Sequence, residues 1–272
     1  SIVRKIDAKG FIYHYVGTAD EKYQKAVKES PDKGRSAESK ISPVTQISDL
    51  AMDKHDNLFI VDRINHQIRK IDAAKNVTTI AGTGDSDFTG DGGPATKANF
   101  RDPVSIVLDK EGNIFVGDAA NNRIRKIDTK GIISTYAGNG DHEDNGDGGP
   151  AASAGILGVD DLAFSPSGEL YIAGNNSHVV RKITKDGIIQ TVAGHTAEQG
   201  YSGDGGPATS ALLKSPTGIA FDSKGNLYIS DLGNDLIRKV DSKGIITTFA
   251  GNSVFGWAHE GETVEIYFQN FP

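Results

Sequence analysis

The chain has 272 residues, 37% of them hydrophobic, with 33 glycines, no cysteine and a formal net charge of −7 at pH 7. The acidic balance argues against nucleic acid as the main partner, because phosphate contacts need a basic surface. Without cysteine there is no disulfide framework and no thiolate site, and apolar runs no longer than a strand leave no transmembrane helix and no membrane insertion.

In chain order, residues 1–17 (SIVRKIDAKGFIYHYVG) align with Val179–Gly194 and supply two strands joined by a turn. Residues 18–43 are polar and charged, a connector in which Asp20–Lys28 has the makings of a short helix. Residues 44–251 then hold four copies of one unit. Its period is marked by the arginine of a recurring Ile/Val-Arg-Lys triplet, at Arg4, Arg69, Arg125, Arg181 and Arg238. A period near 56 residues means a solenoid or a propeller.

Each copy carries four short runs rich in Val, Ile, Phe, Tyr and Thr, bounded by Gly, Asn, Asp or Lys-Gly turns. First strands are predicted at Leu50–Asp53, Ile106–Asp109, Leu162–Ser165 and Ile219–Asp222. Second strands follow at Leu58–Asp62, Ile114–Asp118, Leu170–Gly174 and Leu227–Asp231. Third strands carry the Arg-Lys pairs, and fourth strands are Val77–Ala81, Ile132–Ala137, Ile188–Ala193 and Ile245–Ala250. Four antiparallel strands per period make one blade, so the expected fold is an all-β propeller of four-stranded antiparallel blades. Four blades are complete, and 1–17 is half of a terminal one.

Residues 252–272 have a connector's length without its motif, and Val254–Ala258 and Val264–Gln269 read as strands. If they join 1–17, a terminal blade shared by both chain ends closes a ring of five. If they do not, the chain is part of a six-bladed ring. Since Ser1 falls in the middle of a blade, the sequence reads as a processed or trimmed product.

The pattern Pro-x-Gly-Ile-Ala-x-Asp, Gly-Asn-Leu-Tyr-Ile-x-Asp, Asn-x-x-Ile-Arg-Lys-Val-Asp resembles the NHL repeat, named for an Asn-His-Leu run. Here that run stands as Asn65-His66-Gln67, Asn121-Asn122-Arg123, Ser177-His178-Val179 and Asn234-Asp235-Leu236. The added Gly-Asp-Gly-Gly-Pro-Ala connector is similar to repeats of bacterial extracytoplasmic proteins and of the teneurin propeller. The resemblance implies a propeller and an extracytoplasmic home: periplasmic, cell-surface or secreted. It does not settle function, since NHL propellers include protein binders, RNA binders, sensors and a few lyases or hydrolases.

Strand direction puts both tight turns at one end of every blade, and the second-to-third loops and long connectors at the other. The connector end is the expected functional face. Its candidate ligand contacts are Phe88, Asn122, Asn175, Asn176, His178, Tyr201 and Trp257, with Phe255 nearby. An aromatic kept at the Phe88 and Trp257 slot also suits a packing plug.

Three charged groups have two readings each. Asp91, Asp147 and Asp204 sit among glycines, as in a cation loop, and Asp85-Ser86-Asp87 and Asp141-x-Glu143-x-Asn145-Gly146 have calcium-loop spacing, but Ala152 stands where the twelfth-position Glu belongs. The alternative is an Asp bonding local amides. The Arg-Lys ladder offers either a positive ring or Arg–Asp pairs with Asp62, Asp118 and Asp231, for which the third copy has Gly174. His66 and His178 share one slot, as metal ligands or as turn residues.

The third copy breaks the repeat with Asp160-Asp161 where its first strand begins, and Asp49 shares the Asp161 slot. Asp49, Asp160 and Asp161 at a channel mouth would take Ca²⁺; drift or a capping role is the alternative. The expectation is therefore a non-enzymatic scaffold recognising a protein, peptide or glycan through the connector face. The rival readings are a metal-assisted hydrolase or lyase with a Ca or Zn site at the central channel, and a structural module of a larger surface protein.

Overall fold

A computed structural model of the chain describes residues 46–251, apart from 75 and 197, and the backbone of two N-terminal strands. Those two are β1 (Ile2–Ile6) and β2 (Ile12–Gly17), paired antiparallel. The next eight strands are β3 (Ile47–Met52), β4 (Leu58–Asp62), β5 (Gln67–Ile71), β6 (Val77–Ala81), β7 (Pro103–Leu108), β8 (Ile114–Asp118), β9 (Arg123–Ile127) and β10 (Ile133–Ala137). The last eight are β11 (Asp161–Phe164), β12 (Leu170–Gly174), β13 (Val179–Ile183), β14 (Ile189–Gly194), β15 (Pro216–Phe221), β16 (Leu227–Asp231), β17 (Leu236–Val240) and β18 (Ile246–Gly251).

β3–β6, β7–β10, β11–β14 and β15–β18 form four four-stranded sheets in which sequence neighbours are sheet neighbours, the blades of an all-β propeller. The chain divides into two compact units, 1–121 with 126–134 and 122–125 with 135–272.

The second strands fall where the turn spacing puts them, because each is largely apolar and bounded by an Asp-Asn, Gly-Asn or Gly-Glu entry and an Asp or Gly exit. In β4, Phe59 and Val61 face one cluster with Ile68 and Phe100, while Leu58 and Ile60 face another with Ile71. First strands begin up to three residues earlier than expected and end one residue sooner. Pro103 and Pro216 open β7 and β15, the first-residue position that proline tolerates in a sheet. Their ends are set by turn aspartates: Asp222 accepts the amides of Lys224 and Asn226 and the Asn226 side chain at 3.0, 2.8 and 2.6 Å. These bonds fold the backbone out of the strand.

Alternation along the third strand separates Arg from Lys. Lys lies opposite an aromatic residue of the second strand, Phe59 with Lys70 and Tyr228 with Lys239, and its Nζ sits 5.8 and 5.7 Å from the ring centres. In blade three Lys182 pairs with Glu169 at 3.0 Å instead. Arg turns the other way, and a register shift just before Arg69, Arg181 and Arg238 marks a bulge there. The same shift occurs at Val3/Arg4 in the β1–β2 pair.

The connectors are not free loops. Each has a short 3-10 turn, Ala95–Lys97, Ala151–Ser153 and Ala208–Ser210, with a buried leading alanine. The glycines before it pair with the next fourth strand: Gly148 N–H donates to Ile189 O at 2.8 Å and Ile189 N–H to Gly149 O at 3.1 Å, with Gly205 and Gly206 bonding Ile246 in the same way. The connector thereby satisfies backbone groups along the outer edge of the following blade.

Candidate functional site

The loop joining second to third strand is built the same way in blades one, two and four. The strand-ending aspartate accepts the side-chain amide of the asparagine three residues on, Asp62 from Asn65 and Asp118 from Asn121 at 2.9 Å, Asp231 from Asn234 at 2.8 Å. In blades two and four its other oxygen reaches the incoming connector, Asp118 accepting Arg101 N–H and Asp231 accepting Lys214 N–H, both at 2.7 Å. Behind it lies the repeat arginine. Arg69 Nε is 2.8 Å from Asp62, an ion pair not aligned as a hydrogen bond, and Arg238 lies 3.5 Å from Asp231. Burial drives the Asp231 carboxyl above the usual carboxylate range, against the lowering effect of Asn234, Lys214 and Arg238.

The next loop residue is left-handed in all four blades: His66, Asn122, His178 and Asp235 have φ of 51°, 50°, 60° and 55°. Asn, Asp and His are the non-glycine residues enriched in that region, which explains the choice at this slot. His66 Nδ1 accepts the amide of Asp102 at 3.3 Å, and His178 Nδ1 that of Ser215 at 3.1 Å. A backbone N–H can only donate, so Nδ1 is the unprotonated nitrogen in both. These histidines fasten a loop to the entry of the next blade. Asn122, only 4% exposed, lies 3.0 Å from His142 Nδ1 through its side-chain amide.

Blade three replaces the aspartate with Gly174 and the asparagine with Ser177, and a Cβ at Gly174 would collide with Ser177 Oγ. Its carboxylate comes instead from the connector. Asp144 Oδ1 accepts Leu157 N–H at 3.0 Å and Arg181 Nη1 at 3.2 Å, on a side chain 4% exposed. Asp144 Oδ2 is buried without a hydrogen-bond partner. Gly158, Gly174, Ser177 and Arg181 pack around it. The signal for Asp144 was present in the sequence: Arg181 kept its place while its expected partner at 174 was gone.

Asp147 and Asp204 tie their connectors to the third and fourth strands of the following blade, which corrects the expectation of local amide bonding for these two. Asp147 accepts Arg181 Nε at 3.0 Å and Thr191 N–H at 2.8 Å; Asp204 accepts Arg238 Nη2 at 2.7 Å and Thr248 N–H at 2.9 Å. In both, burial pushes the carboxyl up, and the Thr and Arg partners together outweigh it and lower it. Tyr201 lays its ring over Arg238, 5.0 Å away, with its hydroxyl 3.1 Å from Thr248 Oγ1.

The first-strand aspartates also bridge blades. Asp49 Oδ2 accepts Ile106 N–H and Asp161 Oδ2 accepts Ile219 N–H, each at 2.8 Å. Burial raises the Asp49 carboxyl, against the lowering effect of the Ile106 and Leu50 amides. Asp160 accepts Asn175 N–H at 2.9 Å, which brings Asp160, Asn175 and exposed Asn176 to one corner of blade three. Among the described residues, no three His, Cys, Asp or Glu side chains are grouped to hold a metal ion. Phe88 is half-buried and Tyr201 is exposed. Trp257 and Phe255 lie outside the described residues, and among those described no helix is long and apolar enough to cross a membrane.

Solved structures share the architecture. A virginiamycin B lyase from Staphylococcus aureus matches at a TM-score of 0.51 and 18% identity, over 75% of this chain and 55% of its own. An auxiliary nutrient binding protein from Bacteroides ovatus matches at 0.56 and 16% identity, over 78% and 48%. At such identities the likeness shows the fold alone. Human Teneurin-4 is 32% identical across 71% of this chain, which spans 8% of that protein's length. The model of the teneurin NHL domain matches residues 61–145 and 196–259, more than half of the chain. With the repeat, the blades and this match agreeing, the chain belongs to the teneurin NHL domain family.

Proposed function

We propose that the chain is a non-enzymatic binding module that recognises a protein, peptide or glycan through the blade ends carrying the second-to-third loops and connectors. The observation that carries this reading is how the ionisable groups are used. Arg181, Arg238, Asp49, Asp147, Asp161, Asp204, His66 and His178 each hold one blade or connector to the next, whereas exposed Asn176 and half-buried Asn175 occupy a loop where the repeat is broken. A rigid frame with variable loops binds at little ordering cost. In this proposal Asn175, Asn176 and His178 make the contacts in blade three, with Phe88, Tyr201 and Trp257 at other connectors, and Asn122 acts by holding His142.

Membership of the teneurin NHL domain family supports an interaction role and an extracytoplasmic setting. The terminal blade shared by 1–17 and 252–272 belongs to the same proposal. So does the alternative of Ca²⁺ at Asp49, Asp160 and Asp161, although each of these carboxylates already accepts a backbone amide.

The test is a binding screen of the purified chain on arrays of glycans and extracellular proteins. Asn175→Ala with Asn176→Ala is expected to weaken the ligand found by about tenfold, the value of one to two hydrogen bonds, and Lys224→Ala, in a tight turn, to leave it unchanged. The opposite pattern would move the site to the other end of the blades. Calorimetric heat from Ca²⁺ that Asp160→Ala abolishes would favour the metal reading.

A further inference from the structure

The corner of blade three between Leu157 and Ser177 lacks bonds that the same corner keeps in blades two and four. There a connector carbonyl accepts a loop amide, Arg101 O from Ala120 N–H at 3.1 Å and Lys214 O from Gly233 N–H at 2.8 Å. The matching pair in blade three is Leu157 and Asn176, and among the described residues no such bond joins them. The aspartate and asparagine that close the corner in blade four, Asp231 and Asn234 at 2.8 Å, are Gly174 and Ser177 here. Asp144 crosses from the connector and uses Oδ1 for Leu157 N–H and Arg181. Nothing replaces the asparagine amide on its Oδ2, which is unpaired on a side chain 4% exposed.

What remains is a group of oxygens around two bare glycines. A Cβ at Gly174 would collide with Ser177 Oγ and stand 3.0 Å from Gly158 O and 3.1 Å from Leu157 O. A Cβ at Gly158 would stand 3.1 Å from Asn175 Oδ1, a second buried oxygen with no hydrogen-bond partner. Ser177 donates its hydroxyl to Gly174 O at 3.3 Å, which leaves the lone pairs of Oγ free to bind. The space that Asp144, Gly158, Gly174 and Ser177 enclose is too small for a water molecule. One carboxylate, one side-chain amide, one hydroxyl and two backbone carbonyls are the ligand types of a hard cation, whose contacts to oxygen, about 2.3–2.6 Å for Ca²⁺, are shorter than a hydrogen bond. Mg²⁺ suits the corner less, because it holds on to several waters. The charge is right as well: Asp144 and Asp147 both reach Arg181, so carboxylates outnumber the guanidinium between them.

We propose that blade three binds one Ca²⁺ through Asp144 Oδ2, Asn175 Oδ1, Ser177 Oγ and the carbonyls of Leu157 and Gly158. The ion closes the corner that an aspartate and an asparagine close in blade four, and so holds the loop from Gly174 to His178 in place. Only one of its five ligands is a carboxylate, which sets it apart from the alternative at Asp49, Asp160 and Asp161; Asp160 serves here by accepting Asn175 N–H. The Asn175 side chain keeps its NH₂ group for a ligand, and the inference stands whether or not that ligand reading holds, because it is tested with calcium alone.

The experiment is calorimetry and thermal unfolding of the purified chain in chelator and in Ca²⁺. One ion per chain is expected to bind, and Ca²⁺ at a hundredfold over its dissociation constant to raise the melting temperature by about 5–10 °C. Ser177→Asn supplies Asp144 Oδ2 with the amide that Asn234 gives Asp231. It is expected to lose the calcium response and, in chelator, to melt no lower than the wild type does in chelator. Asn175→Ala, which removes one neutral ligand, is expected to weaken calcium binding by at least about tenfold, and it decides the matter if circular dichroism shows Ser177→Asn unfolded. Asp49→Ala is expected to keep the response. A wild type with neither heat nor shift would overturn the proposal, as would a full response in both Ser177→Asn and Asn175→Ala. A response that Asp49→Ala abolishes would move the ion to the first-strand carboxylates, and an equal shift from Na⁺ or Mg²⁺ at matched ionic strength would show that no calcium site is built here.

Discussion

Replacing Asp161 with alanine removes a carboxylate that accepts Ile219 N–H and Leu162 N–H, each at 2.8 Å. Ile219 is a core residue of the blade three to blade four seam, 8% exposed, so its amide is left inside the protein with nothing to donate to. Orphaning one buried donor costs about 2 kcal/mol, more than the net worth of the bond itself, because the desolvation of the donor is no longer offset. In a chain of this length that corresponds to a melting temperature roughly 4–8 °C lower. Asp161→Asn keeps an acceptor oxygen at the same place and is expected to lose less than about 1 kcal/mol. The assay is thermal unfolding followed by circular dichroism, for wild type and both variants, in Ca²⁺ and in chelator. An unchanged melting temperature for Asp161→Ala would refute the strut. A wild-type melting temperature that rises with Ca²⁺, and no longer does so in Asp161→Ala, would show that the carboxylate is a metal ligand.

Two further expectations concern pH and backbone. Asp49 is raised in the folded chain by burial, so the folded state holds that proton more tightly than the unfolded one, and its contribution is complete below the unfolded carboxylate value and lost as pH rises through the folded one. Asp49→Asn is therefore expected to gain on wild type as pH rises. For Asp204 burial is outweighed by Thr248 and Arg238, and its carboxyl is lowered; its contribution is present above the unfolded value and lost as pH falls through the folded one. Asp204→Asn is expected to lag wild type at neutral pH and to draw level in acid, and urea titrations between about pH 2 and pH 7 separate the two senses. Gly138→Ala drives a Cβ into the Asn122 carbonyl oxygen at a φ of 91°, and is expected to cost at least about 3 kcal/mol or to prevent folding. Gly148→Ala, at a φ of 82° with open space around it, is expected to cost only about 1–2 kcal/mol, the left-handed penalty alone. Equal losses for the pair would show that the clash is relieved by movement.

The sequence by itself determined the period, the four strands of each copy, the second-strand limits to the residue, and the turns that close them. All of these rest on local chemistry: side-chain alternation, glycine in left-handed turns, and aspartates that bond amides two to four residues on, as Asp222 does with Lys224 and Asn226. Only the tertiary structure decided what the charged residues are for. Asp161 finds its partner 58 residues away and Asp147 finds Thr191 at 44, and Asp144 replaces a carboxylate that the repeat had carried on a strand at Gly174. His178 likewise reads as a turn residue until Ser215 is seen to donate to it. Such partners are fixed by how one blade packs on the next, and spacing along a single repeat carries no information about that packing.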